Sequence, residues 1–140
     1  MENRKIAIID ENKETLGELE GILNLAGYTP VPVINPLLAA DTVIQIKPNV
    51  ILLELGMPRK SGFELTSMIN RVFETKKAPI IGISEHYKDE FRWLLDFSSI
   101  KRWIKKPFQP LDLIWAIENE IEEGNQWGME SRLAGMEIMA

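Results

Sequence analysis

The sequence predicts a single α/β domain, a doubly wound sheet of five parallel strands with helices on both faces. Five short apolar runs occur along the 140 residues, and helical periodicities fall between them. The strongest runs are continuously apolar instead of alternating, as expected of strands covered on both faces. Strand and helix alternating in this way imply right-handed crossovers between parallel strands.

The first strand is Lys5-Ile6-Ala7-Ile8-Ile9, ending at Asp10. Leu16, Leu19, Ile22, Leu23 and Ala26 then recur at helical spacing, and Gly27 sits where a helix would stop. Residues 28–34 read as a weak second strand. Pro30 and Pro32 put it at a sheet edge, because proline donates nothing to a ladder. Pro36 opens a modest helix over 36–47. Val50-Ile51-Leu52-Leu53 is the most apolar run and stops at Glu54. A loop over 55–62 leads into a helix carrying Phe63, Leu65, Met68, Ile69 and Val72. The fourth strand, Pro79 to Ile83, ends at Ser84; residues 87–97 are helical and 100–104 form the fifth strand. A last helix covers 110–123, with Leu113, Ile114, Ile117 and Ile121 within an arc of about 100° as its core face. Residues 1–123 thus form the domain, and 124–140 a tail, helical or disordered, with no room for an output domain.

Composition narrows the chemistry. With no cysteine and one histidine, disulfides, thiolate sites and multi-histidine metal centres are excluded. No apolar run reaches about 18 residues and the start lacks a secretory pattern, so a cytoplasmic protein without a membrane segment is expected. The net charge of −5 argues against direct nucleic-acid binding. The cluster Lys101, Arg102, Lys105 and Lys106 reads as a strand edge plus one functional lysine. Met57 reads as a core or loop filler.

In open parallel sheets ligands bind beyond the carboxyl ends of the strands. The polar residues there are Asp10, Glu11, Glu54, Ser84 and Lys106. Three carboxylates at one corner call for a hard cation, and Mg2+ suits oxygen ligands. Lys106 supplies a point charge for a carboxylate or phosphoryl oxygen, and Ser84 a hydroxyl donor. Taken singly each has a plainer reading. Asp10 and Glu11 would cap a helix, Ser84 would sit in a turn and Lys106 in solvent.

Taken together they resemble the response regulator receiver family over about residues 4–123. The resemblance rests on IIDEN (8–12), ILLELGMPRKSGFEL (51–65), PIIGIS (79–84) and IKKPF (104–108). It implies a flavodoxin-like fold with strand order 2-1-3-4-5. It also implies that Asp10 and Glu11 help bind Mg2+, that Glu54 stands at the phosphoacceptor position, and that Gly56 offers its backbone carbonyl to the metal. Ser84 matches the switch hydroxyl, Lys106 the family lysine, Trp103 the switch aromatic, and Pro58 and Gly62 the loop shaping the acceptor turn.

Two residues depart from the pattern. Glu54 replaces an aspartate, moving the carboxylate out by about 1.5 Å, one carbon–carbon bond. Glu85 follows the switch serine where a small residue is usual, narrowing the entrance; His86 lies beside it at the rim, either tuning access or simply starting a helix. Both departures favour a stand-alone pseudo-receiver, not an enzyme, with a weakened Mg2+ site and no other cofactor. Glu54 is expected to pair with Lys106 and Ser84, fixing either an active-like or an inactive state. The partners implied are a histidine kinase or a downstream target, or a second copy through the fourth helix, fifth strand and last helix. Leu111 and Trp115 sit off the core face there, as candidate contacts or as a patch covered by the tail. One rival is a conventional phosphorylatable receiver. Another is a flavodoxin-like cofactor enzyme, disfavoured because Asp10-Glu11-Asn12 would repel a phosphate where a Gly/Ser/Thr-rich loop is needed.

Overall fold

The computed structural model describes residues 4–57, 67, 71, 78–85 and 100–133. Its elements are β1 (Lys5–Ile9), α1 (Lys13–Leu25), β2 (Thr29–Val33), a 3-10 turn (Pro36–Leu38), α2 (Ala39–Ile46), β3 (Val50–Glu54), β4 (Ile80–Ser84), β5 (Ile100–Lys105) and α3 (Pro110–Leu133). All strand pairs are parallel, in the order β2-β1-β3-β4-β5. The proline-bearing strand β2 is at one edge, as its missing donors require. Among the described residues, no helix is long and apolar enough to cross a membrane.

The apolar runs supply both faces of the sheet. Ala7, Ile9, Ile51 and Leu53 pack with Ala39, Ala40 and Val43 of α2 on one side. Ile6, Ile8, Leu52, Ile81 and Ile83 meet Leu16, Leu19 and Leu23 of α1, and Leu113 and Ile117 of α3, on the other. Each Val, Leu or Ile side chain among them, fully buried, contributes about 1.5–3 kcal/mol. Ile114 and Ile121 pack partly against the second cluster, completing the predicted core face.

Local signals set the element ends. The Asn12 side chain caps α1 by accepting from Thr15 N at 3.0 Å. Gly27, with φ of 89°, turns the chain into β2, a conformation glycine adopts without steric cost. At Gly82 of β4, an added Cβ would lie 2.8 Å from Leu55 Cδ1. The bare backbone there lets buried Leu55 lie over the sheet immediately after Glu54.

Two boundaries differ from the sequence reading. The helix expected over 36–47 is a 3-10 turn followed by α2, ending where Lys47 adopts a left-handed φ of 52°. The last helix runs past 123 to Leu133, through Gly124 and Gly128. A glycine inside a helix costs about 1 kcal/mol relative to alanine, which weakens it without stopping it. The helices expected after residue 62 and over 87–97, with Pro58, Gly62, Met68 and His86, lie outside the described residues, as do 134–140; Ser67 and Arg71 are helical.

Candidate functional site

The carboxyl ends of β1 and β3, the start of the chain after β2 and the exit of β5 enclose a cleft of about 810 Å3. Asp10, Glu11, Glu54, Gly56, Glu85 and Lys106 contribute to its walls. The register brings them there. Ile9 pairs with Leu53, Glu54 with Ile83 and Ser84 with Lys105, so the residues at these strand ends fall level with one another. Backbone bonds fix the exits: Leu55 N donates to Ile83 O at 2.9 Å and Lys106 N to Ser84 O at 2.8 Å. The Lys106–Pro107 peptide bond is cis.

The dominant contact is an ion pair between Lys106 Nζ and Glu54 Oε1. The other carboxylate oxygen, Oε2, accepts from Gly56 N at 3.1 Å. Glu54 thus has a cation on one oxygen and a backbone donor on the other. Gly56, expected for its carbonyl, contributes its N–H; the i to i+2 spacing of acid and glycine was the only signal for it. Ser84 is buried at the end of β4. Glu85 is exposed and lines the cleft, at the rim position its sequence number suggests.

Asp10 is buried and accepts from Asn12 N at 2.9 Å through Oδ1. Burial raises its pKa above the ordinary carboxylate value; the Asn12 amide lowers it, the charge of Glu54 raises it, Lys106 lowers it and Glu11 raises it. Glu11 is half-buried. Among the described residues, no group of three or more Asp, Glu, His or Cys side chains is gathered so as to hold a metal ion.

The raised pKa of Asp10 has a consequence for stability. Its folded value exceeds the unfolded value of 3.8, so the ionised form costs stability above the folded pKa. That cost is relieved as pH falls through the folded pKa and is gone below the unfolded one. Asp10→Asn carries no charge and keeps an oxygen for Asn12 N. It is expected to be more stable than the parent at about pH 7, with the gain shrinking by about pH 4. Urea unfolding at both pH values measures this; a difference independent of pH would refute it.

A family model described as the response regulator receiver domain matches residues 6–118. The chain belongs to this family. The receiver is 27% identical over 138 residues to hybrid signal transduction histidine kinase C of Dictyostelium discoideum, covering 92% of this chain and 11% of that protein. The chain therefore spans about a tenth of that curated relative's length. Among solved structures, a CheY-like receiver domain protein from Methanospirillum hungatei superposes with a TM-score of 0.79 at 18% identity, over 89% of this chain and 98% of that one. The receiver domain of a Pseudomonas aeruginosa sensor histidine kinase has a magnesium ion coordinated in its active-site cleft. It superposes with a TM-score of 0.73 at 19% identity, over 86% of this chain and 99% of that one. At these identities the likeness establishes the fold.

On the β5–α3 side of the receiver, Trp103, Phe108 and Trp115 line a second groove of about 340 Å3. Trp103 is packed partly against the α2-side core, whereas Trp115 is 58% exposed and Leu111 79% exposed. The periodicity that set these two apart from the core face is thus matched by their exposure. Arg102 lies on β5, the other edge strand of the sheet, as the sequence reading expected. Its guanidinium reaches Glu120 Oε2 at 3.3 Å and lies 5.0 Å from the centre of the Trp115 ring. Sequence reasoning missed this pair, although Glu120 falls close to the apolar arc of the last helix.

Proposed function

We propose that this receiver acts in signal transduction through protein–protein contact, with phosphorylation at Glu54 impaired or bypassed. The observation that carries the reading is the Glu54–Lys106 ion pair, together with the Gly56 N–H on the second carboxylate oxygen. The lysine that would meet an incoming phosphoryl group is already neutralised by the side chain at the acceptor position. Phosphoryl transfer rests on in-line positioning and charge neutralisation, and a displacement of about 1 Å can cost about a hundredfold in rate. Mg2+ affinity is weakened in this reading. A small cation demands near-octahedral oxygen ligation, and the Glu54 oxygens are both engaged. Glu54 mimics a phosphoryl group only in part, since that group would bring about −1.5 to −2 charge and three acceptor oxygens. The partners are a histidine kinase or a downstream target protein.

Acetyl phosphate, or beryllofluoride, with Mg2+ tests the reading on the unmodified chain. Intact-mass analysis with acetyl phosphate should show at most a trace of phosphoryl adduct, and fluorine NMR no protein-bound beryllofluoride. A stoichiometric adduct on Glu54 would make the chain a conventional phosphorylatable receiver.

A further inference from the structure

Beside the acidic cleft, the segment between β2 and α2 turns apolar side chains outward. Ile34 and Leu37 line the same cleft as Asp10, Glu11 and Glu54, yet are 50% and 71% exposed; Leu38 is 52% exposed. The turn that carries them is firmly built. The Asn35 side chain accepts from Leu37 N at 3.1 Å and Leu38 N donates to Asn35 O at 2.9 Å. Pro36, Ala39 and Ala40 on either side of the two leucines are buried. The exposure is therefore a property of the fold and not of a frayed end. Such clustered apolar exposure marks a contact surface.

The neighbouring charges select the partner. Among the described residues, four carboxylates, Asp10, Glu11, Glu54 and Glu85, line the cleft against one lysine, which Glu54 already holds. An anionic partner is repelled from such a surface, and Lys or Arg side chains are drawn to it. We propose that the lip of Ile34, Leu37 and Leu38, together with the acidic cleft beside it, docks a basic amphipathic helix of a partner protein. Apolar residues one turn apart would cover the lip, and flanking cations would face Glu11 and Glu85. The proposal rests on the protein-binding reading above and names the chemistry of the partner.

The probe is a Leu/Lys amphipathic helical peptide, with a Leu/Glu peptide of the same pattern as its control. Amide chemical shifts of the full chain report the site, and fluorescence anisotropy the affinity. The basic peptide should shift residues 10–12, 34–38 and 54–57 and weaken at raised ionic strength, and the acidic peptide should not bind. Leu37→Ser and Ile34→Ser, at exposed positions that leave the core intact, should each weaken binding about tenfold, the scale of an interface hot spot. No binding, binding unaffected by both substitutions, or equal binding of the acidic peptide would overturn the proposal. So would concentration-dependent self-association abolished by Leu37→Ser, which would assign the lip to a second copy of this chain. A chain that fails these tests yet forms no phosphoryl adduct loses only the docking site. A chain that takes up phosphoryl groups but binds the basic peptide loses only the impaired acceptor.

Discussion

Glu54→Asp should accept a phosphoryl group from acetyl phosphate in the presence of Mg2+ at a rate about a hundredfold or more above the parent chain. Removing one methylene withdraws the carboxylate by about 1.5 Å. That distance decides whether the contacts to Lys106 Nζ and Gly56 N persist. With Glu54 the lysine is held by the carboxylate at position 54. With aspartate it is released toward the space where phosphoryl oxygens would lie, and Asp10 and Glu11 stand in the same cleft to help carry a cation. Initial rates from intact-mass analysis of the two chains give the ratio. Equal rates would mean that the extra methylene is not the obstacle. If Glu54→Asp stays inert, adding Glu85→Ala distinguishes a blocked entrance from an incompetent site, since Glu85 stands exposed in the wall of the cleft. Phosphorylation restored only in the double variant places the barrier at the rim.

The sheet was legible because its strands are buried on both faces, which forces continuous runs such as Val50-Ile51-Leu52-Leu53 instead of an ambiguous alternation. The edge position of β2 was legible for a different reason, the two prolines that forbid ladder donation. The meeting of Glu54 with Lys106, 52 residues apart, followed from the polar residues at strand ends and from the strand order that the family resemblance implies. What escaped were contacts that depend on turn geometry or on the phase of one element against another. The Gly56 N–H turned toward Glu54 is a matter of local dihedrals, which a residue type does not disclose. Leu37 and Leu38 look like the opening of a buried helix in sequence; a 3-10 turn in place of the first α-turn directs them outward. The residues from Gly124 on read as a tail, helical or disordered, and the helical alternative holds as far as Leu133, because a glycine is a small cost to a helix anchored by Leu113 and Ile117.

The Arg102–Glu120 pair is the feature least visible in sequence and among the most consequential for stability. Arg102→Met is expected to cost about 1.5–3 kcal/mol, the scale of a hydrogen bond to a charged group. Glu120 has a side chain only 3% exposed, and Arg102→Met takes away one of the groups that hold its charge. Because the Arg102 side chain is itself 25% exposed, the loss falls short of that for a fully buried pair. A further part is lost with the Arg102–Trp115 contact, worth about 0.5–1 kcal/mol at an exposed ring. Against a total stability of about 5–15 kcal/mol for a domain of this kind, the change is large. The companion substitution separates charge burial from packing. Combining Arg102→Met with Glu120→Met removes both charges and retains apolar volume, so most of the loss should be recovered, to within about 1 kcal/mol of the parent. Urea unfolding with a common slope gives both differences. A double variant no more stable than the single one would mean that Arg102 acts through packing of its stem and the Trp115 ring, and that the charge of Glu120 is satisfied by other groups.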